Sequence, residues 1–340
     1  MRALVLRGVR DLRLEEVEEP KVSEGEVLIR VGACGICGTD LHFYRGEWRV
    51  KTPLVPGHEF SGVVEEVGPG AEWVEVGSRV VAEPNVTCGR CYYCRMERRN
   101  FYCPNIKAVG VDVNGAFAEY VKVPAANVYR FPDWMSFEEA ALIEPLACCV
   151  RGLYNVGIEP GDTVAVVGAG PVGLLMVQLA KMWGASRVYA IDLIERRLSL
   201  AKQLGSDVVV NAAKEDAVGA VKADTGGLGV DVAIEAVGSS KAISTAIALA
   251  RRGGRVLVFG VAPEEDVLAV RPFELYEKEL TLVSSYRSPF TFQRAVRIAS
   301  SGRIALKPII SHVFPLERGP EAFRMLDERK EETVKVVLKP

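Results

Sequence analysis

Gly168-Ala169-Gly170-Pro171-Val172-Gly173 is the stretch on which the fold turns. It follows an apolar run at 164–167 and opens a helical pattern at 172–182, the strand-to-helix setting in which G-x-G-x-x-G carries meaning. The glycines allow a tight turn, close approach of backbone to a pyrophosphate and close helix packing, and the helix N-terminus favours negative charge. Asp192 follows Gly173 by nineteen residues at the end of the next apolar run, where a carboxylate can accept a hydrogen bond from a ribose 2′-hydroxyl and repel a 2′-phosphate. NAD is therefore expected over NADP, against the pull of Arg196 and Arg197 close by. An ordinary turn is the bland reading of the glycines alone; the flanking strand, helix and acid argue against it. Outward from the motif, strands are expected at 188–191, 208–210, 230–235, 256–259 and 280–283, with helices at 195–203 and 242–250. Such alternation gives a doubly wound parallel sheet.

Upstream the pattern changes. Short β-rich segments at 26–31, 61–67, 79–82 and 117–123 are separated by turns such as Val67-Gly68-Pro69-Gly70, which reads as a mostly antiparallel β domain. Ser136-Phe137-Glu138-Glu139 has the form of a capping box, so a helix is expected to run from there toward Tyr154. Beyond 284 one more helix (290–300) and two extended pieces (309–314 and 334–338) are expected to complete the first domain. The expected division is residues 1–150 with 285–340, and 151–284, and 340 residues suit two domains.

Composition excludes several classes of function. Lys and Arg total 42 against 44 Asp and Glu, a net charge of −2, so no basic surplus exists to neutralise a nucleic-acid backbone. Charges run through the first twenty residues, which denies a signal-peptide core and points to the cytoplasm. The apolar run 164–180 is interrupted by three glycines and Pro171, so no membrane span is expected. Asn and Gln number ten in all, a scarcity of thermolabile amides that suits a hot-growing source.

Cys88-x2-Cys91-x2-Cys94-x8-Cys103 places four thiols within sixteen residues. In a reducing compartment this favours metal over disulfides, and four sulfurs fill a tetrahedral zinc completely, making the site structural. The same lobe carries Arg90, Arg95, Arg98 and Arg99 among Tyr92, Tyr93, Phe101 and Tyr102, the makings of a nucleic-acid knuckle; a single such element in a slightly acidic chain argues against it. Earlier, Gly35-Ile36-Cys37-Gly38-Thr39-Asp40-Leu41-His42 and Pro56-Gly57-His58-Glu59 hold two of the chain's three histidines. A catalytic zinc takes about three protein ligands and keeps a position open. Cys37 and His58 suit the first two, and the residues alone leave the third open between Glu59 and a distant acid. Cys34 forms a CxxC with Cys37, but no thioredoxin-like context surrounds the pair, and a structural role is expected for Cys34.

The order of these motifs resembles that of the zinc-dependent medium-chain alcohol dehydrogenases over essentially the whole chain. The resemblance implies an α/β protein with a GroES-like β-rich catalytic domain made from both chain ends and an inserted Rossmann NAD-binding domain. Glu144-Pro145-Leu146-Ala147 further resembles the sorbitol and polyol branch, which implies a catalytic zinc held by Cys37, His58 and Glu144. Glu59 would stand close by, as an alternating ligand or through water. The resemblance also implies that Thr39 accepts the alcohol proton, that His42 passes it to solvent and that Asp40 orients His58. Arg197 would contact the adenosine ribose and Arg287 the sugar chain, although Ser288 departs from the aromatic residue that the branch places there.

The expected function is zinc-dependent, NAD-linked, reversible oxidation of a secondary hydroxyl of a polyol or other alcohol, with one catalytic and one structural zinc per chain. L-Threonine dehydrogenases also resemble this chain through Thr39-Asp40-Leu41-His42 and Glu144-Pro145-Leu146; they usually continue Gly-Asn, where Ala147-Cys148 stands here. A simple alcohol dehydrogenase is disfavoured by Glu144 in place of cysteine. A nucleotide-binding protein without catalytic metal is the alternative from another class. A homo-oligomer, dimer or tetramer, is implied by the family.

Overall fold

Short runs of buried apolar residues, such as Ala3-Leu4-Val5-Leu6 and Val27-Leu28-Ile29, make the N-terminal strands. In the computed structural model, which describes residues 1–96, 100–328 and 333–340, β1 (Arg2–Gly8) and β2 (Asp11–Glu16) pair as an antiparallel hairpin. The chain continues through β3 (Glu26–Gly35), α1 (Gly38–Arg45), β4 (Glu59–Val67), β5 (Arg79–Ala82), β6 (Asn85–Val86), α2 (Tyr92–Arg95), β7 (Lys107–Ala108), β8 (Tyr120–Pro124) and β9 (Val128–Arg130). Helices α3 (Phe137–Ala141) and α4 (Ile143–Val156) follow.

One continuous helix expected from Ser136 is thus two. Ser136 Oγ accepts from Glu139 N at 3.2 Å and Glu139 returns the bond to Ser136 N, so the capping box starts α3. Pro145 cannot donate a backbone hydrogen bond, and a fresh start at Ile143 places it in a first turn, where that donor is not needed.

The chain divides into two compact units, Met1–Ala147 with Ser288–Pro340, and Cys148–Arg287. The second unit holds β10 (Thr163–Val167), α5 (Pro171–Met182), β11 (Arg187–Asp192), α6 (Glu195–Gln203), β12 (Val208–Asn211), α7 (Ala217–Asp224), β13 (Val230–Glu235), α8 (Ser240–Leu249), β14 (Ala250–Val258), α9 (Pro272–Lys278) and β15 (Thr281–Ser284). Its six strands are all parallel, in the order β12-β11-β10-β13-β14-β15. Val164, Val166, Val188, Val232 and Ile234 are fully buried, as strands covered on both faces require.

The first unit is completed by α10 (Phe292–Ser300), β16 (Ile310–Pro315), α11 (Gly319–Asp327) and β17 (Lys335–Lys339). Its main sheet runs β16-β17-β3-β4-β5-β9, with β8 also on β3. Most pairs are antiparallel, but β16 and β17 are parallel, joined through α11. Leu4, Ile29, Phe60, Phe117 and Phe323 lie at the centre of its core, each contributing roughly 1.5–3 kcal/mol by burial. Among the described residues no helix is long and apolar enough to cross a membrane.

Candidate functional site

The register of three strands builds the first site. Gly35, the last residue of β3, pairs with Glu59 at the start of β4 on one side and with Val337 of β17 on the other. His58 precedes β4, and Cys37 is the N-cap of α1 just beyond β3. The ends of one ladder therefore bring Cys37, His58 and Glu59 together, their ligand atoms within 4.8 Å of one another. Cys34 is fully buried, and burial and the nearby Asp40 and Glu59 charges push its thiol well above the ordinary range; Cys37 is the cysteine whose sulfur joins the ligand group.

Asp40 holds the loop. Its Oδ2 accepts from Cys37 N at 2.8 Å, and its Oδ1 faces His58 Nδ1 at 3.6 Å, long for a hydrogen bond. Both atoms are buried without a hydrogen-bond partner among the described residues, and Nδ1 facing Asp40 leaves Nε2 as the ligand nitrogen. Burial opposes the imidazolium, but the charges of Asp40 and Cys37 outweigh it and hold His58 well above its usual value. This surplus of negative charge is what a divalent cation would neutralise. Lys335, at the start of β17, adds an opposing charge: its ammonium pairs with Glu59 Oε2 and donates to Ile36 O at 2.9 Å. The pair is buried at 4% and 2% side-chain exposure, where removing one partner costs about 3–5 kcal/mol.

Glu144 lies in the first turn of α4 and is buried; it is not one of the three residues gathered within 4.8 Å. Its charge acts on Glu83, whose carboxyl is pushed up to about 8, first by burial. Thr39 and His42 stand three apart on α1 and share a face. His42 Nδ1 meets Glu47 Oε2 at 2.6 Å, and Glu47 N donates back to His42 O at 2.9 Å. Arg287 ends the second unit, with its guanidinium 4.7 Å from the Tyr286 ring centre. Ser288 belongs to the first unit, where its hydroxyl donates to Glu83 Oε2 at 3.0 Å.

The four-cysteine lobe fits a metal of its own. Cys88, Cys91, Cys94 and Cys103 are free thiols with sulfurs within 4.8 Å; Cys91 and Cys94 are 3.4 Å apart and Cys88 and Cys94 3.9 Å. Tetrahedral zinc with Zn–S near 2.3 Å needs sulfurs about 3.8 Å apart. Backbone N–H groups of Arg90 and Cys91 lower the Cys88 thiol to about 6, favouring the thiolate that a metal binds. Arg98 and Arg99 lie outside the described residues.

The glycine turn lies between β10 and α5. A Cβ on Gly173 would come 1.8 Å from Gly168 O, whereas one on Gly170, the N-cap of α5, meets nothing within 4 Å. The first contact explains a packing glycine. The open space above the second, at the end of a twelve-residue helix, is what a pyrophosphate would fill. Pro171 and Val172 open the helix. Asp192 ends β11, its Oδ2 accepting from Ala169 N at 2.7 Å and its Oδ1 from Leu193 N and Ile194 N. Its carboxylate is thereby fixed beside the turn. Arg197 is on α6 and half-buried.

Residues 23–133 match the model of the alcohol dehydrogenase GroES-like domain, and 171–301 that of the zinc-binding dehydrogenases. L-Threonine 3-dehydrogenase of Bacillus subtilis is 41% identical, over 100% of this chain and 99% of its own. Sorbitol dehydrogenase of the same organism is 35% identical, over 100% and 97%. The chain belongs to the zinc-dependent medium-chain alcohol and polyol dehydrogenase family. A zinc-binding dehydrogenase of Sinorhizobium meliloti, solved with NADP bound, superposes on this family member with a TM-score of 0.94 at 34% identity, over 100% of this chain and 99% of that one.

Sequence reading passed over three polar residues of this dehydrogenase: Lys335, Glu47 and Glu83. Lys335 is the one charged residue in the apolar run Val334–Leu338, and that is the sole sequence signal it carries.

Proposed function

We propose that the chain oxidises a secondary hydroxyl of a polyol or sugar alcohol to the ketone, reversibly, with NAD and two zinc ions per chain, one catalytic and one structural. The convergence of Cys37, His58 and Glu59 on one locus carries this reading, with Glu144 as the further acid that the family resemblance supplies. Zinc at that locus would act as a Lewis acid, lowering the pKa of a substrate hydroxyl and easing hydride loss to the nicotinamide.

The chain's own groups would manage the proton. Thr39 Oγ would receive it from the substrate, and His42 would carry it onward. Glu47 Oε2, 2.6 Å from Nδ1, would accept from that nitrogen and leave Nε2 to take the proton. Asp192 beside the glycine turn supports NAD, because its fixed carboxylate would repel a 2′-phosphate; Arg197 would contact the adenosine ribose and Arg287 the substrate chain.

L-Threonine is the second reading, favoured by the relative at 41% identity. Both substrates carry a second polar group beside the carbinol. Turnover of sugar alcohols, L-threonine and short alcohols, each with NAD and with NADP, separates the readings. A polyol with NAD as the best pair supports the first, L-threonine above every polyol supports the second, and preference for NADP overturns the role given to Asp192.

A homo-oligomer, as tetramer or dimer, is also proposed. Edge strand β15 pairs only with β14 and is largely exposed, and an unpaired edge invites another chain. The eight free cysteines support a reducing, cytoplasmic setting. The scarcity of Asn and Gln supports a thermophilic source, against which a melting midpoint of about 45–65 °C would count.

A further inference from the structure

We propose that Asn114-Gly115 is a modification site guarded by the segment that carries His58: with that segment in place the pair is stable, and when the segment lifts the asparagine converts irreversibly to aspartate and isoaspartate. The inference rests on the zinc reading above, because the metal is what would hold His58 down. Of the seven asparagines, Asn114 is the one followed by glycine; Val, Phe, Ile or Ala follows the others. A side chain on the following residue hinders attack by its backbone nitrogen on the asparagine amide carbon, and glycine has none. In a chain this poor in asparagine the pair has a local cause. A Cβ on Gly115 would come 2.3 Å from Gly57 O, and one on Gly110 2.5 Å from the same oxygen, so the bend before His58 demands glycine after Asn114.

The same packing restrains the chemistry. Val55 N donates to Asn114 Oδ1 at 3.1 Å, Gly115 N to Val55 O at 2.7 Å, Phe117 N to Pro56 O at 3.0 Å and Ala116 N to Gly57 O at 2.9 Å, so residues 114–117 are zipped to 55–57. Asn114 is exposed, whereas Gly115 and Val55 are buried. Water reaches the amide, but the nitrogen that must attack it is engaged elsewhere. Once 55–57 departs, Gly115 N gives its proton to solvent and bonds to Asn114 Cγ. The Cγ–Nδ2 bond breaks, ammonia leaves with a proton from solvent, and a cyclic imide remains. Water then opens the ring at either carbonyl. One opening restores the backbone with an aspartate, whose carboxylate can still accept from Val55 N. The other routes the backbone through the former side chain and adds a methylene before Gly115. The bonds to Val55, Pro56 and Gly57 then cannot all form again, and His58 is not returned to its place beside Cys37.

Wild type with two zinc ions per chain, and wild type stripped to the one zinc held in the four-cysteine lobe, are aged side by side in warm, mildly alkaline buffer below the melting midpoint. Peptide mass spectrometry locates each conversion of amide to acid, and zinc uptake afterwards reads the second metal site. Conversion at Asn114 is expected at least about tenfold faster in the stripped protein, because opening of the 55–57 segment governs it. Uptake of the second zinc is expected to fall in proportion to the isoaspartate formed. Asn114→Ser, stripped and aged in the same way, is expected to keep the uptake it had before ageing. Equal conversion in the two wild-type samples overturns the proposal, as does conversion at another asparagine ahead of Asn114, or loss of uptake in Asn114→Ser as fast as in wild type. The two wild-type samples read the claim even if Asn114→Ser does not fold. A wild type that never holds a second zinc overturns the zinc reading and the guard that rests on it, and metal analysis before ageing separates that failure from the others.

Discussion

Glu83→Gln should make the protein more stable at alkaline pH. Glu83 is 6% exposed and directly follows β5. Its Oε1 accepts from Asn85 Nδ2 at 2.7 Å and its Oε2 from Ser288 Oγ at 3.0 Å. Burial and the neighbouring Glu144 charge outweigh these bonds and raise the carboxyl to about 8, from 4.5. Between those values the folded chain holds a proton that the unfolded chain has released, so stability falls as pH rises. The slope is about 1.4 kcal/mol per pH unit, on the order of 4 kcal/mol from pH 5 to 8. Glutamine is uncharged throughout and still accepts from Asn85, so the variant lacks this slope. For a unit of about 200 residues the difference corresponds to about 10 °C in melting midpoint. Calorimetry of both proteins with one zinc per chain, at half-unit pH steps, measures it. Parallel curves, or a variant that loses ground as pH rises, would refute the reasoning.

The two glycines of the turn should fail differently. Gly173→Ala places a methyl 1.8 Å from a carbonyl and should lower both the melting midpoint and NADH affinity, whereas Gly170→Ala should melt within about 2 °C of wild type yet bind NADH at least about tenfold more weakly, read by nucleotide fluorescence. Cys94→Ser should cost one zinc per chain by metal analysis and leave NADH binding unchanged. Leu282→Lys, on the exposed strand β15, should lower the mass measured by light scattering if that edge joins copies of the chain; an unchanged oligomer would place the contact elsewhere.

What the sequence displayed and what it concealed follow from distance along the chain. Buried parallel strands are continuous apolar runs, and helices alternate with them, so the doubly wound sheet was legible around Gly168. Four cysteines in one loop are equally local. Helices α7 and α9 were missed because eight and seven residues barely complete two turns and show little periodicity. Contacts made by the return of the C-terminal segment were out of reach. Lys335 meets Ile36 across 299 residues and Ser288 meets Glu83 across 205; a residue that departs from the polyol pattern is occupied there in holding a buried acid. Glu59 was weighed as a ligand from its place beside His58, but nothing local announced the lysine that pairs with it.

A catalytic zinc at Cys37 and His58 is separate from the cysteine lobe in the function proposed above. Zinc per chain, NADH affinity and alcohol-dependent NAD reduction should be measured together in wild type, Cys37→Ala and Glu144→Ala. Two zinc ions and turnover are expected in the wild type, one ion with intact NADH binding and no turnover in Cys37→Ala, and loss or weakening of that same ion in Glu144→Ala. Two tightly held ions and undiminished turnover in Cys37→Ala would contradict it.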